Sequence, residues 1–209
     1  MITNSKIGYG GRLGNQMFQY AMLLGVANKT GYEVKLPINN ARAVQENGCL
    51  DLFTGKWIPY KLVLDDCFDA NITWMNDIER VESIKHTVTE KSFHFDESVF
   101  KVQDFTDFDG YYQSFKYFEH MMPFIRKTFR FKSVVQKHAL SMIHWSTDNE
   151  VVSIHVRRGD YLGIPDRLPA CEPEYFEKAS NKTFATFEII FIAVSNIDLK
   201  TLVTLFNLS

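Results

Sequence analysis

The sequence has few of the features that mark several classes of protein. Its 209 residues contain three cysteines, which form no CxxC pair and no metal-ligand spacing. No apolar run reaches the ~18 residues that a membrane helix requires, and the first residues contain no apolar core of a signal peptide. The formal net charge of −2 does not produce the positive electrostatic potential that typically attracts nucleic acid. We therefore expect a cytoplasmic chain that binds no nucleic acid and keeps Cys49, Cys67 and Cys171 as reduced, buried thiols.

The apolar content of 45% supplies enough material for a folded core, and the order of its segments predicts an α/β fold. The opening predicts a strand at 2–8, a helix that ends at Gly31 and a strand at 32–37, which together form a βαβ unit. The apolar face of that helix is predicted to contain Leu13, Met17, Ala21 and Leu24.

The rest of the chain predicts a second α/β region after a polar turn near 146–150. Before that turn, we expect a helical stretch at 114–131, interrupted by Pro123, and a helix at 133–145. After it, the predicted order is a strand at 151–157, a helix at 173–180, a strand at 187–194 and a helix at 198–206. The turn suggests a boundary between a domain at 1–147 and a shorter one at 148–209.

The stretch VVSIHVRRGDYLG, residues 151–163, places charge at the end of an apolar strand. In a strand, His155 and Arg157 share one face, while Arg158 begins the exit loop and Asp160 follows closely. Ligands of open α/β sheets bind outside the carboxyl ends of the strands, and arginine pairs suit a phosphate or pyrophosphate. A structural ion pair between arginine and aspartate explains the same residues about equally well.

The stretch GYGGRLGNQMFQYA, residues 8–21, places four glycines between a strand and a helix. Such a loop lets backbone N–H groups approach a ligand, although it matches neither a dinucleotide-binding nor a P-loop pattern. Asn15 and Gln16 at the helix start are more often capping residues than ligands, which makes capping the favoured interpretation by about two to one.

Together the two stretches resemble the α-1,2-fucosyltransferase family, whose members have a G-x-L-G-N-Q-x-F-Q-Y-A opening and an H-x-R-R-x-D motif. GYYQSFKYF at 110–118 and LPACEPEYFEKA at 168–179 also resemble segments of that family. The resemblance implies a B-type glycosyltransferase with two Rossmann-like domains. The first would be the acceptor-side domain, and the second, nucleotide-binding domain would be incomplete here.

The resemblance also implies substrates and roles. The donor would be GDP-β-L-fucose, the acceptor a galactose-terminated glycan, and the product an α-1,2 linkage formed with inversion. On this basis the catalytic candidates are Arg157, His155 and Asp160. The residues implied to bind the donor are Arg157, Arg158, Asn15, Arg12 and Gly14.

The chain departs from the family towards its end, and this leaves alternatives open. The stretch FIAVSNIDLK lacks the acidic pair expected there, and a later aromatic segment is missing. One alternative is a truncated, inactive or merely nucleotide-binding remnant, which we would expect to have little activity and a less stable second half. Another is an α-1,6-type fucosyltransferase. The sequence leaves open whether the chain associates peripherally with a membrane through its acceptor, and which oligomeric state it has.

No metal or other cofactor is expected, because the resemblance implies arginines in place of a D-x-D-bound metal. Transfer from GDP-fucose should therefore proceed at the same rate with and without EDTA. The measurement is fucose incorporation into a galactoside after exhaustive chelation. Strict dependence on added Mg²⁺ or Mn²⁺ would contradict this expectation.

Overall fold

The computed structural model describes the chain in several segments. They are residues 1–9, 11–38, 48–50, 57–59, 61–76, 84–142, 151–157, 165–166, 169–172, 174–175, 178 and 189–195. The chain divides into two compact units, the first containing residues 1–51 and 55–142, and the second residues 52–54 and 143–209. Both contain parallel strands, which agrees with the predicted α/β class. The predicted domain assignments stay predictions.

The first unit is built on parallel strands. β1 (Ile2–Thr3), β7 (Thr106–Asp109) and β6 (His86–Thr89) form a sheet in the order β1-β7-β6. β2 (Leu36–Pro37) pairs in parallel with β5 (Trp74–Met75), and a parallel bridge from Ile2 to Val34 joins the two sheets. The strand order is therefore β5-β2-β1-β7-β6. A small antiparallel pair, β3 (Gly48–Leu50) with β4 (Trp57–Pro59), stands apart from it.

The helix α1 (Leu13–Thr30) connects β1 to β2 and confirms the predicted βαβ opening. It ends where predicted, at Gly31, whose left-handed φ of 77° lets its N–H bond to the carbonyl of Ala27. The predicted apolar face is buried only at Ala21. The most buried apolar side chains of α1 are Tyr20, Ala21, Met22, Leu23 and Val26. The other three predicted residues, Leu13, Met17 and Leu24, are half-buried and pack against the same core. The buried surface of α1 is wider than the predicted face, because the helix packs against more than the sheet.

The second side of α1 contacts the segment that follows β7. Before Pro123, this segment forms two 3-10 turns, Phe115–Tyr117 and Glu119–Met121, where the sequence predicted the first part of an interrupted helical stretch. A helix, α3 (Met122–Thr128), follows these turns. The short helix α2 (Leu64–Cys67) lies earlier in the chain, between β4 and β5. Pro123 lies in the first turn of α3 and begins the helix instead of kinking it, because a proline there gives up no intrahelical hydrogen bond.

Two further sequence predictions differ in extent. The helix α4 (Ser133–Met142) begins at the predicted residue and lies within the predicted range of 133–145. The first strand was predicted to reach residue 8, but β1 ends at Thr3. The turn that ends it is closed by Asn4, whose side-chain oxygen accepts from the N–H of Lys6, 3.1 Å away, and whose carbonyl accepts from the N–H of Ile7.

In the second unit, β8 (Val151–Arg157) and β9 (Ile189–Ser195) pair in parallel over seven residues each. Both predicted strands are confirmed, β9 with its bounds shifted along the chain. Of the predicted helix at 173–180, the described residues Glu174, Tyr175 and Lys178 are helical. The predicted helix at 198–206 lies outside the described residues.

The expectation of buried thiols is wrong where it can be checked. Cys67 is half-buried and Cys171 is exposed. Cys67 is the last residue of the short α2, and the apolar core of the first unit covers only part of it. Among the helices described, none combines the length and apolar character needed to cross a membrane.

The close contact of α1 with the 3-10 turn depends on Gly25. A Cβ atom at this position would lie 2.1 Å from the carbonyl oxygen of Tyr117. Gly25→Ala should therefore lower the free energy of unfolding by about 1–3 kcal/mol, although alanine favours helix. Gly14→Ala is the matched control, since a Cβ there meets no atom within 4 Å, and it should be neutral or stabilising. Urea unfolding measures both, and equal stabilities would contradict the packing.

Candidate functional site

Across the sheet, the chain places its strands first to one side of β1 and later to the other side. The chain first adds strands on the β2 side and then returns to build β7 and β6 on the other side. In open α/β sheets, ligands bind in the crevice outside the carboxyl ends of the strands at such a reversal. The segments that leave β1 and β7 therefore form the candidate site of the first unit, which we call the β1–β7 edge.

Carboxylates of β7 hold the turn that follows β1. Asp107 accepts from the backbone N–H of Ser5 at 2.7 Å and from its hydroxyl at 2.6 Å. Asp109 accepts from Lys6 Nζ at 2.6 Å, and this hydrogen bond raises the pKa of Lys6 above its ordinary value. Asp107 is buried, whereas the Lys6–Asp109 pair is open to solvent. An exposed pair of this kind adds little stability.

Glu90 holds the turn that follows β7. One carboxylate oxygen accepts from the N–H of Tyr111 at 2.8 Å, and the other accepts from the N–H of Tyr112 at 3.0 Å. The Tyr112 hydroxyl donates to the carbonyl of Val88 at 2.8 Å. Burial, together with the Glu90 carboxylate, raises the pKa of Tyr112 well above the ordinary tyrosine range.

The same turn has unusual backbone angles. Tyr112 has a φ of 50° and Gly110 a φ of 158°. A residue other than glycine in the left-handed region costs on the order of 1–3 kcal/mol and persists only where its surroundings impose it. Here Glu90 and the buried Tyr112 side chain impose it. The turn is thus held in one conformation, directly before Gln113.

The start of α1 contacts this turn through amide side chains. Gln113 Nε2 donates to Asn15 Oδ1 at 2.7 Å across 98 residues of sequence. Gln16 is 1% exposed, and its amide donates to the carbonyl of Lys61 at 2.8 Å and accepts from the N–H of Val63 at 2.9 Å. The predicted capping role of Asn15 and Gln16 is therefore wrong: both amides bind distant segments of chain.

Two glycines of the motif have steric reasons to be glycine. Gly8 and Gly11 have left-handed φ values of 86° and 85°. A Cβ at Gly8 would lie 2.6 Å from the backbone nitrogen of Leu62, and one at Gly11 would lie 2.0 Å from Asn15 Nδ2. Both glycines thus make room for protein atoms, and Gly11 sets the position of the Asn15 amide.

The predicted donor-binding residues fall in both units. In the first, Arg12 is the N-cap residue of α1, Gly14 is in the first turn of the helix, and both are exposed. In the second, His155 and Arg157 lie in β8 and pair in the ladder with Ala193 and Ser195. Arg157 is the last residue of its strand, at the carboxyl end of a parallel pair, as predicted.

Arg158 and Asp160 lie outside the described residues. Their roles, and those of the other predicted site residues, stay predictions. In the part of the chain that the structure describes, no group of three or more His, Cys, Asp or Glu side chains is arranged to hold a metal ion.

A second concavity lies elsewhere in the first unit. It has a volume of about 350 Å³, and its lining includes Tyr20, Asp69, Phe124 and Arg130. Burial raises the pKa of Tyr20 to about 12. None of the catalytic or donor-binding residues predicted from the sequence lines this cavity.

Sequence reasoning missed several residues at the β1–β7 edge, including Glu90, Asp109 and Gln113. Gln113 lies within GYYQSFKYF, a segment already singled out by resemblance, so that motif was the available signal. Glu90 and Asp109 belong to no motif. They come to the edge only through the pairing of β6 and β7.

Comparison with known proteins shows the family of this chain. Residues 2–199 match the profile of glycosyl transferase family 11. The chain belongs to this family. The resemblance seen in the sequence is thereby confirmed at the level of the family, and the chain has an α/β fold.

Curated relatives of this family 11 chain are similar at low identity. Galactoside alpha-(1,2)-fucosyltransferase 2 of Rattus norvegicus is 27% identical over 195 residues, which cover 89% of this chain and 49% of the relative. The Mus musculus protein of the same name is 26% identical over 89% of this chain and 50% of the relative. Galactoside 2-alpha-L-fucosyltransferase Sec1 of Mus musculus is 26% identical, over 89% and 48%.

The chain spans about half the length of these curated relatives. No solved structure matches it.

The Glu90 contacts give a direct test of the turn geometry. Glu90→Ala should lower the hydrogen-exchange protection of the Tyr111 and Tyr112 amides by about tenfold or more, because two hydrogen bonds are lost. Glu90→Gln keeps one carbonyl acceptor, so its amide protection should lie between that of Glu90→Ala and that of the unmodified chain. Glu97→Ala, an exposed glutamate in the same unit, is the control. Equal protection in Glu90→Ala and the unmodified chain would show that Glu90 does not hold the turn.

Proposed function

We propose that the protein transfers L-fucose from GDP-β-L-fucose to a galactoside hydroxyl, with inversion, to give an α-1,2 linkage. Membership of glycosyl transferase family 11 and the names of the similar curated proteins support this reaction. The observation that carries the proposal is the position of the motif arginine. Arg157 ends a parallel strand in a family 11 chain, where a ligand of an α/β sheet binds.

We also propose a B-type arrangement of two Rossmann-like domains. The first unit would bind the acceptor and the second the nucleotide. Parallel strands in both units support this arrangement, as does the reversal of strand order at β1.

The acceptor oxygen attacks the anomeric carbon, and the bond from that carbon to the β-phosphate oxygen breaks, so that GDP leaves with the electron pair. The proton of the acceptor hydroxyl passes to a base or to solvent. The transition state resembles an oxocarbenium ion, and negative charge grows on the departing GDP. Fixed cations aimed at that charge lower the barrier, often by about 3 kcal/mol for one well-placed group.

Arg157 and Arg158 are proposed to supply those cations. A planar guanidinium matches phosphate oxygens in a bidentate fashion. Asp160 is proposed to orient an arginine, and His155 to contact the donor. In this proposal the arginines provide the counter-charge, and no metal ion is required.

Replacing Arg157 tests the proposal. Arg157→Ala should weaken GDP binding by at least about a hundredfold, since a charge-assisted bidentate contact is lost. Arg157→Lys should restore little, because the fork is absent. Isothermal titration of the full chain with GDP and GDP-fucose gives the affinities. Arg126→Ala, an exposed arginine of α3, is the matched control.

An unchanged affinity in Arg157→Ala would remove this residue from the donor site. Fucose transfer to methyl β-galactoside, assayed on the same samples, separates donor binding from catalysis. Transfer to the 6-position of another sugar, with none to galactose O2, would favour the α-1,6-type alternative.

A further inference from the structure

Fucosyl transfer requires a second substrate, an acceptor sugar, and the first unit offers a place for it. We propose that Gln113 and Asn15 form a hydrogen-bonding pair that binds hydroxyl groups of the acceptor galactoside at the β1–β7 edge. The proposal rests on the proposed function. It assigns Asn15 to the acceptor instead of the donor, and it adds Gln113, which the sequence motifs did not identify as a site residue.

The two amides come from the two segments that border the crevice. Asn15 follows the turn that leaves β1, and Gln113 follows the turn that leaves β7. Their hydrogen bond of 2.7 Å joins the two segments of the β1–β7 edge at the reversal of strand order, where ligands of such sheets bind. Gln113 is exposed and Asn15 is half-buried, so a ligand can reach the pair from solvent.

Among the described residues, the pair keeps unused hydrogen-bonding capacity after its mutual hydrogen bond. Asn15 Oδ1 accepts from Gln113 Nε2, which leaves the Asn15 NH₂ donors and the Gln113 carbonyl oxygen for other partners. Adjacent donors and an acceptor match vicinal sugar hydroxyls, each of which both donates and accepts.

The rigid turn before Gln113 gives the pair a fixed geometry. Glu90 binds the N–H groups of Tyr111 and Tyr112, and Tyr112 holds a left-handed φ of 50°. Gly110 is fixed as well, because its carbonyl accepts from Asn4 and Gln19. Little conformational freedom is then left to lose when a ligand binds, which favours a recognition role.

Two buried polar atoms at the same edge have unused hydrogen-bonding capacity. Thr3 Oγ1, in the last residue of β1, and Gln19 Oε1, on the amide that holds Gly110, have no hydrogen-bond partner among the described residues. Buried polar atoms are normally satisfied by protein, water or ligand. The edge therefore has polar capacity beyond the amide pair.

The charges of the edge favour a neutral ligand over a pyrophosphate. Among the described residues, its acidic side chains are Glu90, Asp107 and Asp109, and its basic side chains are Lys6 and Arg12. Lys6 is already paired with Asp109. A diphosphate would meet this excess of carboxylates, whereas a sugar hydroxyl binds amides without a charge penalty. The acceptor is the neutral substrate of the proposed reaction.

The test measures galactoside binding to the full chain, without donor. Saturation-transfer NMR titrations with methyl β-D-galactoside and with its 2-, 3- and 4-deoxy analogues give dissociation constants. Gln113→Ala should raise the constant for the parent sugar by about three- to tenfold, the effect of one or two hydrogen bonds. Gln136→Ala, an exposed glutamine of α4, should leave it unchanged.

The analogues distinguish contact from a structural role. At least one deoxy analogue should bind the unmodified chain more weakly than the parent sugar, yet bind Gln113→Ala as well as the parent does. The melting temperature of Gln113→Ala should match that of Gln136→Ala. Uniform weakening of every analogue, with a lowered melting temperature, would indicate a structural residue and overturn the proposal.

The outcomes also separate this inference from the proposed function. If the unmodified chain binds no galactoside, or if Gln113→Ala binds every analogue as the unmodified chain does, the inference fails. If the Gln113 effect holds but no fucose is transferred from GDP-fucose, the subsite stands and the proposed reaction fails.

Discussion

The carbonyl oxygen of Gly110 accepts hydrogen bonds from Asn4 at 3.1 Å and from Gln19 at 2.9 Å. These two bonds join the exit of β1, the middle of α1 and the exit of β7, which are far apart in sequence. Because the carbonyl lies at the reversal of strand order, its two partners fix the geometry of the whole β1–β7 edge. The contacts of Glu90 and the amide pair depend on this arrangement.

Polar side chains in the interior of the first unit have a structural task that apolar packing could not perform. Gln16 and Gln19 are nearly fully buried, yet each binds backbone groups of a distant segment. Because each amide donates to the carbonyl of such a segment, a shift of that segment would leave polar groups unpaired. Catalytic edges of α/β proteins need such precision, since their ligands are bound by segments without regular structure.

The two units divide the proposed chemistry by charge. The described edge of the first unit carries more acidic than basic side chains, which suits a neutral acceptor. The second unit contributes the motif arginines, with Arg157 at the carboxyl end of β8. A transferase that joins a neutral sugar to one carried on a diphosphate needs both kinds of surface. In this proposal, the low net charge of −2 is the sum of two different local environments.

The sequence by itself determined the α/β class, the position of α1 with its stop at Gly31, the strands β8 and β9, and the family. These features depend on local patterns: apolar periodicity, glycine at a left-handed position, and contiguous motifs. Only the tertiary structure decided the short β1, the 3-10 turns after β7, the second packing surface of α1 and the amide contacts of Asn15 and Gln16. The amide contacts of Asn15 and Gln16 depend on partners 45 to 98 residues away in the sequence. Local periodicity does not predict which distant residues come into contact, because the pairing of strands in the folded chain brings them together.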